Sequence, residues 1–285
     1  MEIKQVIIRG HNFFQPLKQL THTPTTLYIK GQLPEGRPPV IAIVGTRKPT
    51  PYGKEVTFQL AYNLAKKGVI IVSGLAYGID ATAHKATLEA GGTTIAVLAN
   101  GLDTVYPVAH QRLAREILNG GGALLSEYPS GTGARQFQFL ARNRIVSGLA
   151  DAVIVTEAGE RSGTLSTVNH ALDQNKEVFA VPGNITSLLS IGPNRLIQQG
   201  AHPVLKAEDI LAVIAPHLLQ PQTELALGAN PAEIRIIELL QQGIRDAEEL
   251  QRQSSLSASE FATTLTMLEI NGDIRQLGGN QWGMK

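Results

Sequence analysis

PVIAIVGTRKPTPYG, residues 39 to 53, begins as an apolar run of strand-forming residues and breaks on a glycine, as the first strand of a dinucleotide-binding fold enters its phosphate loop. The fit stops at Gly45. Where that fingerprint places two more closely spaced glycines, the chain has Thr46, Arg47, Lys48 and the prolines 49 and 51, so charge replaces a bare backbone cradle. Outward from this strand the pattern repeats. VIIV (69–72), TIAVLA (94–99), ALLSEY (123–128), AVIVTEA (152–158) and EVFAVP (177–182) complete six strand candidates, separated by helical patterns such as EVTFQLAYNLAKKG (55–68). There Val56, Leu60, Leu64 and Ala65 recur at helical spacing and Gly68 marks the end. Strands apolar on both faces require helices on both sides, so the expected class is α/β: a doubly wound, mostly parallel Rossmann-like sheet with right-handed crossovers.

The rest of the chain divides around that sheet. Residues 1–39 read as an N-terminal extension packed on the main domain, with TLYIKG (26–31) as one strand. Residues 40–214 form the Rossmann-like domain, and 215–230, rich in proline and polar residues, read as a linker. Residues 231–285 read as a small winged helix: three helical segments and a final GDIRQLGGNQWGMK with two turn signals. From Ala229 onward five basic residues face eight acidic ones, a formal −3 in a chain whose total is +1. The third helix offers Ser257, Ser259, Glu260, Thr263, Thr264 and Glu269 without Lys or Arg, which argues against duplex reading and for a protein-contact or regulatory role.

Composition excludes several classes. Without cysteine there is no disulfide or thiolate metal site. The N-terminus lacks a signal-peptide pattern and no apolar run reaches membrane-spanning length, so a cytoplasmic location is expected. The seven histidines lack metal-binding spacing. Asp80 and His84 lie four apart, but no nucleophile accompanies them, and Asp80 reads as a cap or loop anchor.

In a doubly wound sheet ligands gather outside the carboxyl ends of the strands, and the unusual loops all fall there. Arg161-Ser162-Gly163-Thr164, entering the helix LSTVNHALDQ, offers amides, hydroxyls and a guanidinium to a phosphate; a plain N-cap by Ser162 gives the same string. Arg47 and Lys48 add charge beside Gly45 and Thr46, either for a phosphate or as a solvated pair. Arg135 to Arg144 combines three arginines with two aromatics, which describes a single-strand surface or an amphipathic helix with Phe139 and Ile145 in the core.

Taken in order, VGTRKPTPYG (44–53), SGLAYGIDATAH (73–84), AVLANGLDTVYP (96–107), LLSEYPSG (124–131), FLARNRIVSGLAD (139–151), EAGERSGTLSTVNHALDQNKEVFAVPGN (157–184) and GPNRLIQQGAHPV (192–204) resemble the DNA-processing protein A family, DprA or Smf. The resemblance implies an extended Rossmann-like domain, single-stranded DNA binding, loading of the RecA recombinase, a role in natural transformation and homologous recombination, and a homodimer. It places DNA contacts on Gly45, Thr46 and Arg47 and on Phe139, Arg142, Asn143 and Arg144; the loop reading above adds Lys48 and Arg161, Ser162, Gly163 and Thr164 as expected contacts. No cofactor, metal, membrane or catalytic residue is expected from the residues themselves. Two departures stand out: the family's F-P-x-R-N-R reads FLARNR, without the proline, and the chain is too short before residue 40 for a full helical N-terminal domain.

A competing reading is a nucleotide phosphoribohydrolase of the lysine-decarboxylase-like Rossmann class, whose motif is P-G-G-x-G-T-x-x-E. Here Thr167 stands where that motif has its glutamate, which removes the catalyst. A winged-helix transcription regulator with a sensor domain is a third, opposed by the acidic tail.

Overall fold

The computed structural model describes residues 2–8, 11–219 and 231–284, and Cα packing divides the chain into Met1–Leu219 and Gln220–Lys285. In the first unit the elements run β1 (Ile3–Ile7), β2 (Thr26–Gly31), β3 (Val40–Val44), α1 (Pro51–Lys66), β4 (Ile70–Ser73), α2 (Ile79–Glu89), β5 (Thr94–Leu98), α3 (Gln111–Asn119), β6 (Ala123–Ser126), α4 (Gln136–Leu149), β7 (Ala152–Val155), α5 (Thr164–Asp173), β8 (Glu177–Ala180), α6 (Ile191–Gln198), β9 (His202–Pro203) and α7 (Ala207–Ile214).

All nine strands form one sheet in the order β1-β2-β6-β5-β4-β3-β7-β8-β9. From β6 to β9 every neighbouring pair is parallel. The first strand read from sequence explains the layering. Val40, Ala42 and Val44 enter one core with Ile145, Leu149 and Val168, while Ile41 and Ile43 enter the other with Leu60, Leu64 and Ile79. A strand buried on both faces needs helices on both, which is the doubly wound arrangement.

The segment before residue 40, expected to pack on the main domain, adds two antiparallel strands to the sheet edge through β2 against β6. Phe13, Phe14 and Leu17 of its 3-10 helix, Asn12–Gln19, are fully buried in the first core. Helix α1 begins four residues before the expected Glu55, because Thr50 caps it and Pro51 takes its first position, where proline's missing N–H is harmless. The prolines that spoil the dinucleotide fingerprint are therefore a helix start.

The second unit holds α8 (Pro231–Gln241), α9 (Ala247–Ser254), α10 (Ala258–Asn271) and the hairpin β10 (Ile274–Gly278) with β11 (Gln281–Met284), the element order of a winged helix. Ile236, Leu240, Leu250, Phe261, Leu265 and Leu268 form its own core. Asp246 caps α9, and Ser257 with Glu260 makes a capping box on α10, so Glu260 serves the helix start. Of the expected linker, Pro216–Leu218 is a 3-10 turn and residues 220–230 lie outside the described residues.

Candidate nucleic-acid interface

The chain leaves β3 through β4, β5 and β6 on one side and returns to β7 on the other, so the topological switch, where such sheets bind ligands, lies between β3 and β7. A cleft of about 250 Å³ opens at those carboxyl ends. It is walled by Gly45 to Arg47 after β3, Gly74 and Asp80 after β4, the first turns of α4, and Ser162 to Thr164 at the start of α5. Nine of the expected residues line it: Gly45, Thr46, Arg47, Phe139, Arg142, Asn143, Ser162, Gly163 and Thr164. Lys48, Arg144 and Arg161 lie outside that lining.

The first loop is held from within. Thr46 donates its amide to the Glu157 carbonyl at 2.7 Å, so that N–H is already used within the protein. Gly45 is required by space, since a Cβ there would sit 2.6 Å from Ile79 Cγ1. The buried Glu157 accepts from the Thr50 amide at 2.9 Å and from its hydroxyl at 2.5 Å, and Thr50 Oγ1 accepts from Gly53 N. These bonds place a carboxylate from the β7 loop at the N-terminus of α1, completing from afar the capping box that the local sequence lacks. Gly53 makes room for it: a Cβ there would lie 2.2 Å from Glu157 Oε2. The position at which a dinucleotide fold binds pyrophosphate is filled by the protein's own anion.

Charge with an open face is supplied by Arg47. It is exposed, and its guanidinium carbon lies 5.5 Å from the centroid of Phe139, within cation–π range. At the start of α5, Ser162 Oγ donates to Thr164 Oγ1 and accepts from Thr164 N. Gly163 is exposed with open space around its Cα, and no described residue accepts from its N–H. That amide and the Thr164 hydroxyl, whose proton the Ser162 contact leaves unspent, fit an anionic oxygen.

The arginines of α4 have other work. Arg142 is 5% exposed and donates through Nη1 to the carbonyls of Gly74, at 2.8 Å, and Val97. Burial pulls its pKa down to about 10, with the Asp80 charge opposing the shift. Asp80 accepts from the amides of Gly74 and Ala76 at 3.0 and 3.2 Å, which makes it the loop anchor, and burial raises its pKa. Gly74 is small of necessity, because a Cβ would stand 2.5 Å from Arg142 Nη2. Arg144 grips both oxygens of Glu127 at 2.6 and 2.7 Å. The charge expected from Arg142 and Arg144 is thus committed inside the protein, while Asn143 Nδ2 reaches the Gly163 carbonyl at 3.5 Å. Glu157 and Glu127 escaped the sequence reading because their partners are far away in the chain.

Gly78 locks the first two loops together. Its φ is +78° and a Cβ would meet the Thr46 carbonyl oxygen at 2.4 Å. Gly78→Ala is expected to cost about 2–4 kcal/mol from strain and overlap, seen as a lower urea midpoint. Gly163→Ala, with nothing within 4 Å of its Cβ, should leave the midpoint unchanged. Equal midpoints for the two variants would contradict the packing described.

Residues 4–215 match the family model described as DNA recombination-mediator protein A, and 220–280 match the DprA winged helix domain. The chain is 46% identical to Protein Smf of Escherichia coli (strain K12) over 70% of its own length and 54% of that protein's. It is likewise 46% identical to the DNA processing protein DprA of Bacillus subtilis (strain 168), over 68% and 65%. The matches therefore span a little over half, and just under two thirds, of those relatives. The X-ray structure of DNA processing protein A from Streptococcus pneumoniae superposes with a TM-score of 0.67 at 37% identity, covering 75% of each chain. DNA processing protein A from Helicobacter pylori, whose structure concerns that protein's single-stranded DNA binding mode, also gives 0.67, at 31% identity over 76% of this chain and 97% of that one.

Proposed function

The chain belongs to the DNA recombination-mediator protein A family, and from that premise we propose that it is a single-stranded DNA-binding recombination mediator. It covers incoming single strands and passes them to a recombinase of the RecA class in natural transformation or homologous recombination, working as a homodimer and without catalysis. The observation that carries this reading is the convergence in one cleft of an exposed guanidinium on an aromatic ring with an open amide and the Thr164 hydroxyl at a helix start. Phosphates recognised by Arg47, Gly163 and Thr164, with Ser162 orienting Thr164 and a ring nearby for bases, describe a single-strand site. Lys48 and Arg161, both exposed, extend the charge beyond the cleft. Arg142, Asn143 and Arg144 position the walls, and Gly45 and Thr46 shape the loop that presents Arg47.

The phosphoribohydrolase alternative has no support from the cleft. Thr167 is buried in its wall, and Asp80, the only carboxylate among the lining residues, is bound to loop amides.

A salt titration of single-strand against duplex binding tests the proposal. Single strands should bind tighter at every salt concentration, with log affinity falling linearly in log salt. Arg47→Ala should weaken single-strand binding about 10-fold and flatten the slope by about 0.7 for one lost phosphate contact. Unchanged affinity would remove Arg47 from the site, and a duplex preference would overturn the reading.

A further inference from the structure

We propose that Tyr106, with Tyr77 behind it, is a second nucleobase platform that continues the Arg47–Phe139 stack out of the cleft. The proposal rests on the single-strand reading above and names a part of the site that reading does not use. It begins with Phe139, whose ring is already engaged: Arg47 lies over it, and Tyr106 meets it at 5.4 Å with the planes inclined by 57°. Phe139 is only half-buried between these neighbours. The open aromatic surface lies one ring further on.

Tyr106 and Tyr77 are each 48% exposed. Together with Arg47, Phe139 and Pro107 they line one narrow slot beside the main cleft. Tyr77 is braced by His110, ring to ring at 4.9 Å and nearly edge-on. His110 Nδ1 in turn lies 2.8 Å from the Leu75 carbonyl, which can only accept, so this nitrogen carries the proton and the imidazole is oriented. Two tyrosines from different loops are therefore held in place while keeping half their surface in water.

The distribution of aromatics over the whole chain points the same way. Of seven phenylalanines, six tyrosines and one tryptophan, the exposed ones are Tyr52, Tyr77, Tyr106 and Phe137. Tyr52 and Phe137 lie in the first turns of α1 and α4, Tyr77 follows β4, and Tyr106 follows β5. All four stand at the carboxyl edge of the parallel sheet. Aromatic surface left in water forgoes the stabilisation of burial, and its concentration on one edge marks a ligand with flat apolar faces. Unpaired bases have such faces, and a duplex hides them in its stack. The platform thereby gives a physical basis for discriminating single strands, which charge alone does not.

The full chain is titrated with an oligothymidylate and with an abasic oligomer of equal length, which keeps the phosphates and lacks the bases. Tyr106→Leu should weaken oligothymidylate binding about 10-fold, within the range for one stacked base. It should leave abasic binding unchanged, and Tyr106→Phe should restore full affinity. Equal loss on both oligomers would show a merely structural role and overturn the platform. So would wild-type affinity of Tyr106→Leu for oligothymidylate while Arg47→Ala is weakened, an outcome that leaves the single-strand reading standing. A wild-type chain that binds neither oligomer would overturn that reading and the platform with it.

Discussion

Replacing Arg142 with alanine is expected to destabilise the first unit by about 3–5 kcal/mol, the combined range for two buried carbonyls losing their donor and for a large buried side chain cut back to alanine. The side chain is 5% exposed and donates to the carbonyls of Gly74 and Val97. Its charge also favours the ionised form of the buried Asp80. Alanine leaves two carbonyls without a donor, Asp80 without its counter-charge, and a void where the guanidinium was. Urea unfolding checks this, with the double variant Asp80→Asn, Arg142→Met as the second arm. If the couple acts as a unit, the double variant loses less than the two single losses combined. Retained stability in Arg142→Ala, with loss of DNA affinity alone, would return this arginine to the phosphate-contacting set.

Acid is expected to weaken the fold through His84. Its ring is fully buried, and Nδ1 lies 2.7 Å from Thr94 Oγ1. That hydroxyl spends its own proton on the Ile71 carbonyl, so His84 Nδ1 is the donor and Nε2, which has no partner among the described residues, is bare. Burial first, and then the nearby charges of His110 and Arg142, lower its pKa from 6.5 to about 3. The unfolded chain therefore binds a proton below pH 6.5 that the folded protein refuses until about pH 3, and stability falls as pH drops through that window. At about 1.4 kcal/mol per pKa unit, the loss from this group reaches about 3 kcal/mol by pH 4. Asp80 acts in the opposite sense, because its folded pKa is raised and the folded protein takes up its proton first. The difference between wild type and His84→Leu isolates the histidine. Parallel pH profiles of the two proteins would sink the assignment.

How much of this was legible in the sequence depends on the range of the interactions involved. The parallel sheet announced itself because each strand is a continuous apolar run, and Val40–Val44 indeed feeds two cores in alternation. The loops that meet at the cleft were found for the same reason, since strand ends locate them. Side-chain duty was less accessible. An arginine in FLARNR looks the same in sequence whether it faces phosphate or a carbonyl, and only the fold brings Val97 and Gly74 to Arg142. Arg144 likewise meets Glu127 only once α4 crosses the sheet. Tyr106 in AVLANGLDTVYP carries no signal of its own, because its neighbour Phe139 is 33 positions on in the chain and 5.4 Å away in space.

The carboxylate of Glu157 at the start of α1 bears on how the site responds to its surroundings. Where a loop is ordered by a free nucleotide, its order follows the concentration of that nucleotide through ordinary linkage. Here the occupant is tethered covalently to the same sheet, so its effective concentration does not vary with metabolic state. The Arg47 loop is consequently held in shape by the protein itself, with no free nucleotide needed to order it.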